Sequence, residues 1–206
     1  MLKPAILYAD ELLAKMKQTW YDPKYFPYYS EEMYLPELGG DPKGRRDFVS
    51  VDENDNVIGY FSYQIDRRIN GAYNFGIMSF DMGNLIFVRD ILQGVDDIFV
   101  KYHLNRMDWM CYASNPALRG YRKFVKRYGG REVGKLTQAA ITADGVLQDV
   151  CLFEVMAKDY LKAKNTVLYL VEGDSANKPS NIDMEKYGFL RGRVLNNPEN
   201  FNKENN

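Results

Sequence analysis

The feature that most constrains the fold of this chain is a repeated change of hydrophobic period along its central part. Alternating apolar residues predict three strands of an antiparallel meander, over Asp47–Val51, Val57–Ile65 and Ala72–Asp81. Apolar residues at every third or fourth position then predict a helix over Leu85–Tyr102. The apolar stripe of this helix has to be buried, and a sheet formed by the strands is the surface that can cover it.

The change of period is repeated downstream. A short apolar run, Met107–Ala113, predicts a strand that is buried on both faces. A second helix opens at Asn115-Pro116 and ends at Gly129-Gly130, because a helix C-terminus favours glycine in a left-handed conformation. Two further strands are predicted over Arg131–Ile141 and Val146–Met156. This order of elements predicts an α+β fold with one mixed, mostly antiparallel sheet flanked by helices.

The two ends of the chain differ from this central part. A first helix is predicted over Tyr8–Trp20, followed by an irregular excursion over residues 21–46 that contains four prolines and many aromatic rings. These rings need a surface to pack against, so the excursion belongs to the main domain, residues 1–160. Residues 161–206 are expected to form a C-terminal extension, partly disordered, with an added strand at Thr166–Val171.

Composition excludes several classes of function. With 27 Lys and Arg against 28 Asp and Glu, the net charge of −1 offers no basic excess for a nucleic acid. Apolar runs are too short to span a membrane. A single histidine, His103, argues against a histidine metal site and a Ser/His hydrolase, and Cys111 and Cys151 are expected to be buried free thiols. We therefore expect a cytoplasmic protein with no metal and no nucleic-acid or membrane partner.

No short catalytic signature is present, so candidate sites are sought where strands run into helices. The first such junction runs from Ser79 through Asp81 and Gly83 to Asn84. A glycine turn at a helix N-terminus leaves backbone N–H groups that can bind a phosphate. The alternative is that Gly83-Asn84 only caps the helix.

The second junction is Asn115-Pro116, after the strand that ends at Ala113. Asn115 can cap the next helix, or it can hold an extended ligand that lies between two splayed strands. Tyr121 can reach the same crevice as a proton donor, or it can be a core residue on the apolar stripe of the helix.

The second half of the chain resembles the GCN5-related N-acetyltransferase (GNAT) superfamily, and within it the divergent members common in phages and prophages. The resemblance spans roughly Asp47 to Tyr160 and has the first helix in its expected place. It is carried by Asn115-Pro116, Tyr121, Tyr128-Gly129-Gly130-Arg131, Gly134 and Asp144-Gly145.

The resemblance implies that the fourth strand and the helix after it bind acetyl-coenzyme A as co-substrate, and that the strand before Asn115 splays away to admit the pantetheine arm. The cofactor-binding residues so implied are Ser79, Phe80, Met82, Gly83, Asn84, Leu85, Arg89 and Asn115. The phosphate loop departs from the family pattern, because it keeps one glycine and no basic residue. Arg89, one turn into the helix, is the residue that can replace the missing cation.

Acetyl transfer to an amine requires a base for the amine, a donor to the oxyanion and an acid for the leaving thiolate. The candidate base is Asp81, acting directly or through water, and the candidate acid is Tyr121. A backbone N–H near Phe80 is the candidate oxyanion donor. Asp81 has the alternative role of capping the next helix.

The acceptor is expected to be a small-molecule or peptide amine, bound by the excursion. Its aromatic rings, with Glu31, Glu32 and Glu37, suit a cationic group, although a packed lid with solvated acids is the simpler alternative. Two other classes remain open. One is a catalytically inactive GNAT-fold protein that binds a host factor, and the other is a homodimer whose sheet is extended by Thr166–Val171.

Overall fold

The computed structural model describes residues 1–29, 36, 38, 39, 44–142 and 144–171. The strands are β1 (Leu2–Pro4), β2 (Arg45–Val51), β3 (Val57–Asp66), β4 (Gly71–Ser79), β5 (Arg106–Tyr112), β6 (Arg131–Ile141) and β7 (Leu147–Met156). The α-helices are α1 (Ala9–Thr19), α2 (Leu85–Asp96), α3 (Leu118–Tyr128) and α4 (Ala157–Val171). Short 3-10 turns lie at Ala5–Tyr8 and Phe26–Tyr28, and a π-helical turn at Asp97–Lys101 extends α2.

The seven strands form one sheet in the order β1-β2-β3-β4-β5-β7-β6. Neighbouring strands pair antiparallel except β4 and β5, which are parallel because α2 crosses over between them. The predicted fold class, an α+β fold with a mixed and mostly antiparallel sheet, is therefore confirmed.

Helices cover the sheet on both faces, and alternate residues of β3 separate the two cores. Tyr60 packs in a cluster with Leu12 and Met16 of α1, whereas its neighbour Phe61 packs with residues of α2, α3 and α4. Successive side chains of a strand point to opposite faces, so α1 lies on one face and the other three helices lie on the second.

The packing of α2 on β3 is especially close, because glycine on each element admits an aromatic ring of the other. A Cβ atom at Gly59 would lie 2.4 Å from the ring of Phe87, and one at Gly94 would lie 2.4 Å from the ring of Phe61. This reciprocal contact fixes the position of α2, and with it the loop that leads from β4 into the helix.

Three predictions about elements need correction, and one strand was not predicted. The strand expected at Thr166–Val171 is wrong, since α4 runs without a break from Ala157 once Tyr160 is anchored by a hydrogen bond from its hydroxyl to Asp96 (2.7 Å). The sheet extension proposed for a homodimer is lost with it. The helix expected to open at Asn115-Pro116 begins at Leu118. The helix predicted over Leu85–Tyr102 is α-helical only to Asp96 and continues as a π-helical turn.

The strand that was not predicted is β1, a short strand at the sheet edge. Glu31, Glu32, Glu37 and most of the C-terminal extension lie outside the described residues. Both cysteines are free and buried, as expected. No helix in the described residues is long and apolar enough to cross a membrane.

A cleft between two splayed strands as the candidate active site

The candidate site is created by the incomplete pairing of β4 and β5. Only two residue pairs join these strands, Gly71 with Arg106 and Ala72 with Met107. Beyond these pairs the strands diverge toward their carboxyl ends. We call the resulting gap the β4–β5 cleft.

A β-bulge in β4 lies where the divergence begins. On β3, Ser62 pairs with Gly76 and Gln64 pairs with Tyr73, so two residues of β4, Asn74 and Phe75, face the single residue Tyr63. Asn74 takes a positive φ of 55°. An extra residue bends the strand that carries it, so the bulge turns β4 away from β5 directly after the last pair.

The cleft holds a cavity of about 760 Å³. Trp109 and Cys111 of β5 line it on the helix-covered side, and Asp108 and Met110 line it on the opposite side, where Met110 is 64% exposed. Because neighbouring residues of a strand point to opposite faces, the cavity is lined by side chains from both faces of the sheet.

The tyrosine-rich segment after α1 spans this cleft. The hydroxyl of Tyr25 donates to the carbonyl of Ser79 at the end of β4 (2.9 Å), and that of Tyr28 donates to the carbonyl of Ser114 just after β5 (3.0 Å). The ring of Tyr28 also lies 6.4 Å from that of Tyr112. The segment therefore connects the two diverging strands, and its rings form part of the cavity wall.

Tyr121 lies on α3 and lines the same cavity. Its ring meets Trp109 edge-on at 5.8 Å, and burial raises the pKa of its hydroxyl above the ordinary value. Within the described residues this hydroxyl has no hydrogen-bond partner. It therefore stays protonated over the physiological range and is available to donate to a ligand.

A second unpaired donor lies beside it. The indole N–H of Trp109 is buried, and within the described residues it makes no hydrogen bond. A buried donor without a partner costs about 1–3 kcal/mol. Trp109 lines the cavity, but its indole nitrogen is covered by protein atoms and is not exposed to a ligand in the cleft.

The first strand-to-helix junction is held by its own side chains. Asn84 caps α2 by accepting from the Ile86 N–H (2.8 Å) and donates its amide to the Asp81 carboxylate (2.7 Å). The Phe80 N–H donates to the carbonyl of Ile58 (2.9 Å), so this amide is already used within the sheet. Gly83 has a φ of +86° and no atom within 4 Å of an added Cβ, so the turn is open to a ligand.

The predicted site residues divide into two groups. Ser79, Met82, Asn115 and Tyr121 line the cavity. The others lie at the junction beside it, and they are Phe80, Asp81, Gly83, Asn84, Leu85 and Arg89. Among these, Leu85 is 80% exposed and Arg89 is paired with Asp90 (3.3 Å). Their roles remain predictions.

Sequence reasoning missed two polar features near the cleft. Asp108 lines the cavity and is paired with Arg106 (3.0 Å), a contact between residues two apart on one face of a strand. A set of cations on α3 lines a second cavity that begins at Asn115 and Pro116. The helical spacing of these cations is visible in the sequence. Their position next to the cleft, and that of Asp108, follows only from the divergence of β4 and β5.

No protein-family model matches this chain, and no curated protein matches it in sequence. Solved structures do match. A chimera of the spermidine N-acetyltransferase SpeG from Vibrio cholerae with hSSAT superposes with a TM-score of 0.60 at 23% identity, covering 79% of this chain and 99% of its own. A GCN5-related N-acetyltransferase from Brucella melitensis gives a TM-score of 0.60 at 20% identity, covering 86% of each chain.

This chain has the GNAT fold. SpeG from Vibrio cholerae, in a complex with manganese ions, also matches, with a TM-score of 0.52 at 24% identity over 64% of this chain and 75% of its own. At these identities the likeness establishes the fold, and the fold that the sequence resemblance implied is confirmed. The likeness to phage and prophage members remains a prediction.

Proposed function

We propose that this protein transfers an acetyl group from acetyl-coenzyme A to the amine of a small-molecule or peptide acceptor. The observation that supports this most is the β4–β5 cleft, a cavity in the sheet of a GNAT fold with an unpaired tyrosine hydroxyl in its wall. Both reactants meet in this cleft, so the amine attacks the acyl carbon directly and no acyl-enzyme is needed.

The cleft suits a pantetheine arm, which is a narrow chain with two amide groups. Beyond Ala72 and Met107 no hydrogen-bond ladder joins β4 to β5, so the facing backbone edges can bond to ligand amides. At the carboxyl end of β4, the open turn at Gly83 leaves space for the phosphates.

The co-substrate supplies the acetyl group as a thioester, and the residues of this chain move the protons. Tyr121 is the acid that protonates the leaving thiolate, because it lines the cavity and its hydroxyl carries a proton that no described residue accepts. Cys111 is not a nucleophile, since burial raises the pKa of its thiol to about 12.

The base is a carboxylate, and among the described residues we consider two near the cleft. Asp81, predicted from the sequence, is exposed at the first junction and accepts from Asn84. Asp108 lines the cavity itself, on the face opposite Trp109. We assign Asp108 as the base that accepts the proton of the amine, directly or through a water. Asp81 is the competing candidate, and the two are compared by substitution.

The acceptor enters on the face that carries Asp108 and the tyrosine-rich segment. Tyr25 and Tyr28 line this part of the cavity, and their rings can contact a cationic or apolar amine. The structural neighbours are named for spermidine. In the described wall of this cavity, however, Asp108 is already paired with Arg106, so a polycation is not the acceptor that these residues favour.

The test is calorimetric titration with acetyl-coenzyme A, followed by release of free coenzyme A with a panel of amines. We expect saturable binding and amine-dependent thiol release. Tyr121→Phe should retain binding and lose most turnover, whereas Tyr128→Phe, on the same helix but outside the cavity, should keep both. Binding without thiol release from any amine would favour an inactive GNAT-fold binding protein instead.

A further inference from the structure

Helix α3 presents a strongly basic surface next to the cleft. Five of its eleven residues are Lys or Arg and none is acidic, although the whole chain has a net charge of −1. Four of these cations recur at helical spacing and line one shallow cavity of about 460 Å³. We call this surface the basic face, and it consists of Arg119, Arg122, Lys123 and Lys126.

The basic face continues directly from the candidate active site. Asn115 and Pro116, in the turn between β5 and α3, line both the β4–β5 cleft and the cavity of the basic face. A ligand that leaves the cleft at the carboxyl ends of the splayed strands therefore passes from one cavity into the other without crossing the core.

Three of the four cations are available to a ligand. Arg122 is held by a two-pronged ion pair with Glu132, with nitrogen–oxygen distances of 2.9 and 3.0 Å. Arg119, Lys123 and Lys126 are exposed, and in the described part of the chain none of them has an ion-pair partner. A concentration of unpaired like charge on one helix face destabilises the free protein unless an anion occupies it.

The other junction lacks such charge. The turn from Phe80 to Asn84 contains no Lys or Arg, carries the carboxylate of Asp81, and is followed by Arg89, which is already paired with Asp90. Backbone N–H groups at this turn can serve a phosphate diester, but a phosphate monoester carries about −1.5 to −2 charges at neutral pH and requires cations.

We propose that the basic face binds the 3′-phosphate on the ribose of coenzyme A, through Arg119, Lys123 and Lys126. This monoester carries about −1.5 to −2 charges, and the basic face is a group of exposed cations that adjoins the cleft. The inference rests on the proposed function, since it assumes that the pantetheine arm occupies the cleft.

The experiment compares coenzyme A with dephospho-coenzyme A, which lacks only the 3′-phosphate, by isothermal titration calorimetry on the full chain at low ionic strength. We expect the wild-type protein to bind coenzyme A about tenfold more tightly, because two or three charge-assisted contacts are lost without the phosphate. The difference should shrink at high salt, since these cations are exposed.

Variants assign the effect to the basic face. Lys123→Gln and Lys126→Gln should each weaken the binding of coenzyme A several-fold and leave that of dephospho-coenzyme A unchanged. Arg127→Gln is the matched control, because Arg127 lies on the same helix, packs over the Tyr128 ring and does not line the cavity. It should alter neither affinity.

The outcomes separate this proposal from the one it rests on. Equal affinity for the two coenzymes, or equal weakening of both by the lysine variants, would overturn the 3′-phosphate assignment and leave coenzyme binding in the cleft intact. If neither coenzyme binds the folded wild-type protein, the proposed function itself fails, and this inference fails with it.

Discussion

The two strand-to-helix junctions that border the cleft each follow one of the diverging strands, but they differ in their side-chain contacts and in their charge. The junction from β4 to α2 is fixed by its own contacts: Asn84 caps the helix and holds Asp81, and α2 is locked on β3 through Gly94. The junction from β5 to α3 has no cap from its own N-cap residue, Ala117, and leads into an exposed basic helix. The first junction therefore offers a fixed backbone turn, and the second offers positive charge.

This difference shows why a phosphate loop with one glycine is not evidence against coenzyme binding. Backbone geometry and positive charge are both needed to hold a coenzyme, but they need not come from the same loop. Here the open turn at Gly83 and the cations of α3 lie on opposite sides of one cleft.

The largest effect is expected at Tyr121, on the α3 side. Tyr121→Phe should lower kcat by about a hundredfold with little change in KM for acetyl-coenzyme A, because it removes the proton donor and keeps the ring. Since burial raises the pKa of Tyr121, wild-type kcat should not fall through loss of this proton below pH 10. Steady-state kinetics from pH 6 to 10, with Tyr128→Phe as control, provide the check.

The two carboxylates come next. Asp108→Asn should lower kcat by roughly a hundredfold, since Asp108 lines the cleft, whereas Asp81→Asn should cost less than tenfold because Asp81 does not line the cavity. Stopped assays of thiol release compare the two variants. A greater loss at Asp81 would restore the base role to the first junction and contradict our assignment.

Replacing a glycine by alanine should change the free energy of unfolding in opposite directions in α2 and α3. Gly94→Ala should destabilise the protein by about 1–3 kcal/mol, because its Cβ would meet the ring of Phe61 at 2.4 Å. Gly120→Ala, in the interior of α3 where no atom lies within 4 Å, should stabilise it by about 0.5–1 kcal/mol. Urea unfolding measures both, and destabilisation by Gly120→Ala would show that α3 is packed more closely than described.

The smallest effects are expected at the two asparagines. Asn84→Ala should cost about 1 kcal/mol, the usual value for a helix N-cap. Asn115→Ala should cost only a few tenths of a kcal/mol, because Asn115 accepts from Ala117 ahead of α3 rather than capping it. Chemical denaturation measures the free energy of unfolding of both variants. Equal losses in the two would contradict the difference between the junctions.

The sequence pattern predicted the central elements well because each has one clear hydrophobic period. It failed at β1, where Leu2–Pro4 is too short to show alternation, and at Thr166–Val171, where an apolar run continues a helix that Tyr160 anchors. The bulge at Asn74 carries no local signal, since the positive φ of a single asparagine is decided by pairing with β3.

The candidate site was predicted in part. Asn115 and Tyr121 were predicted from the second strand-to-helix junction, and both line the cleft. Asp108 was missed because an acidic residue on a short strand looks like an ordinary solvated side chain. It becomes a candidate only once β4 and β5 are seen to diverge, and that divergence depends on long-range pairing that no sequence window contains.

The most direct test of the central claim is the unfolding free energy of the wild-type protein with and without acetyl-coenzyme A. At a hundred times the dissociation constant, the ligand should stabilise the fold by about 2.7 kcal/mol. ATP, which has phosphates but no pantetheine arm, should stabilise it much less. No stabilisation at millimolar acetyl-coenzyme A, or the same stabilisation by ATP, would contradict a coenzyme site in the β4–β5 cleft.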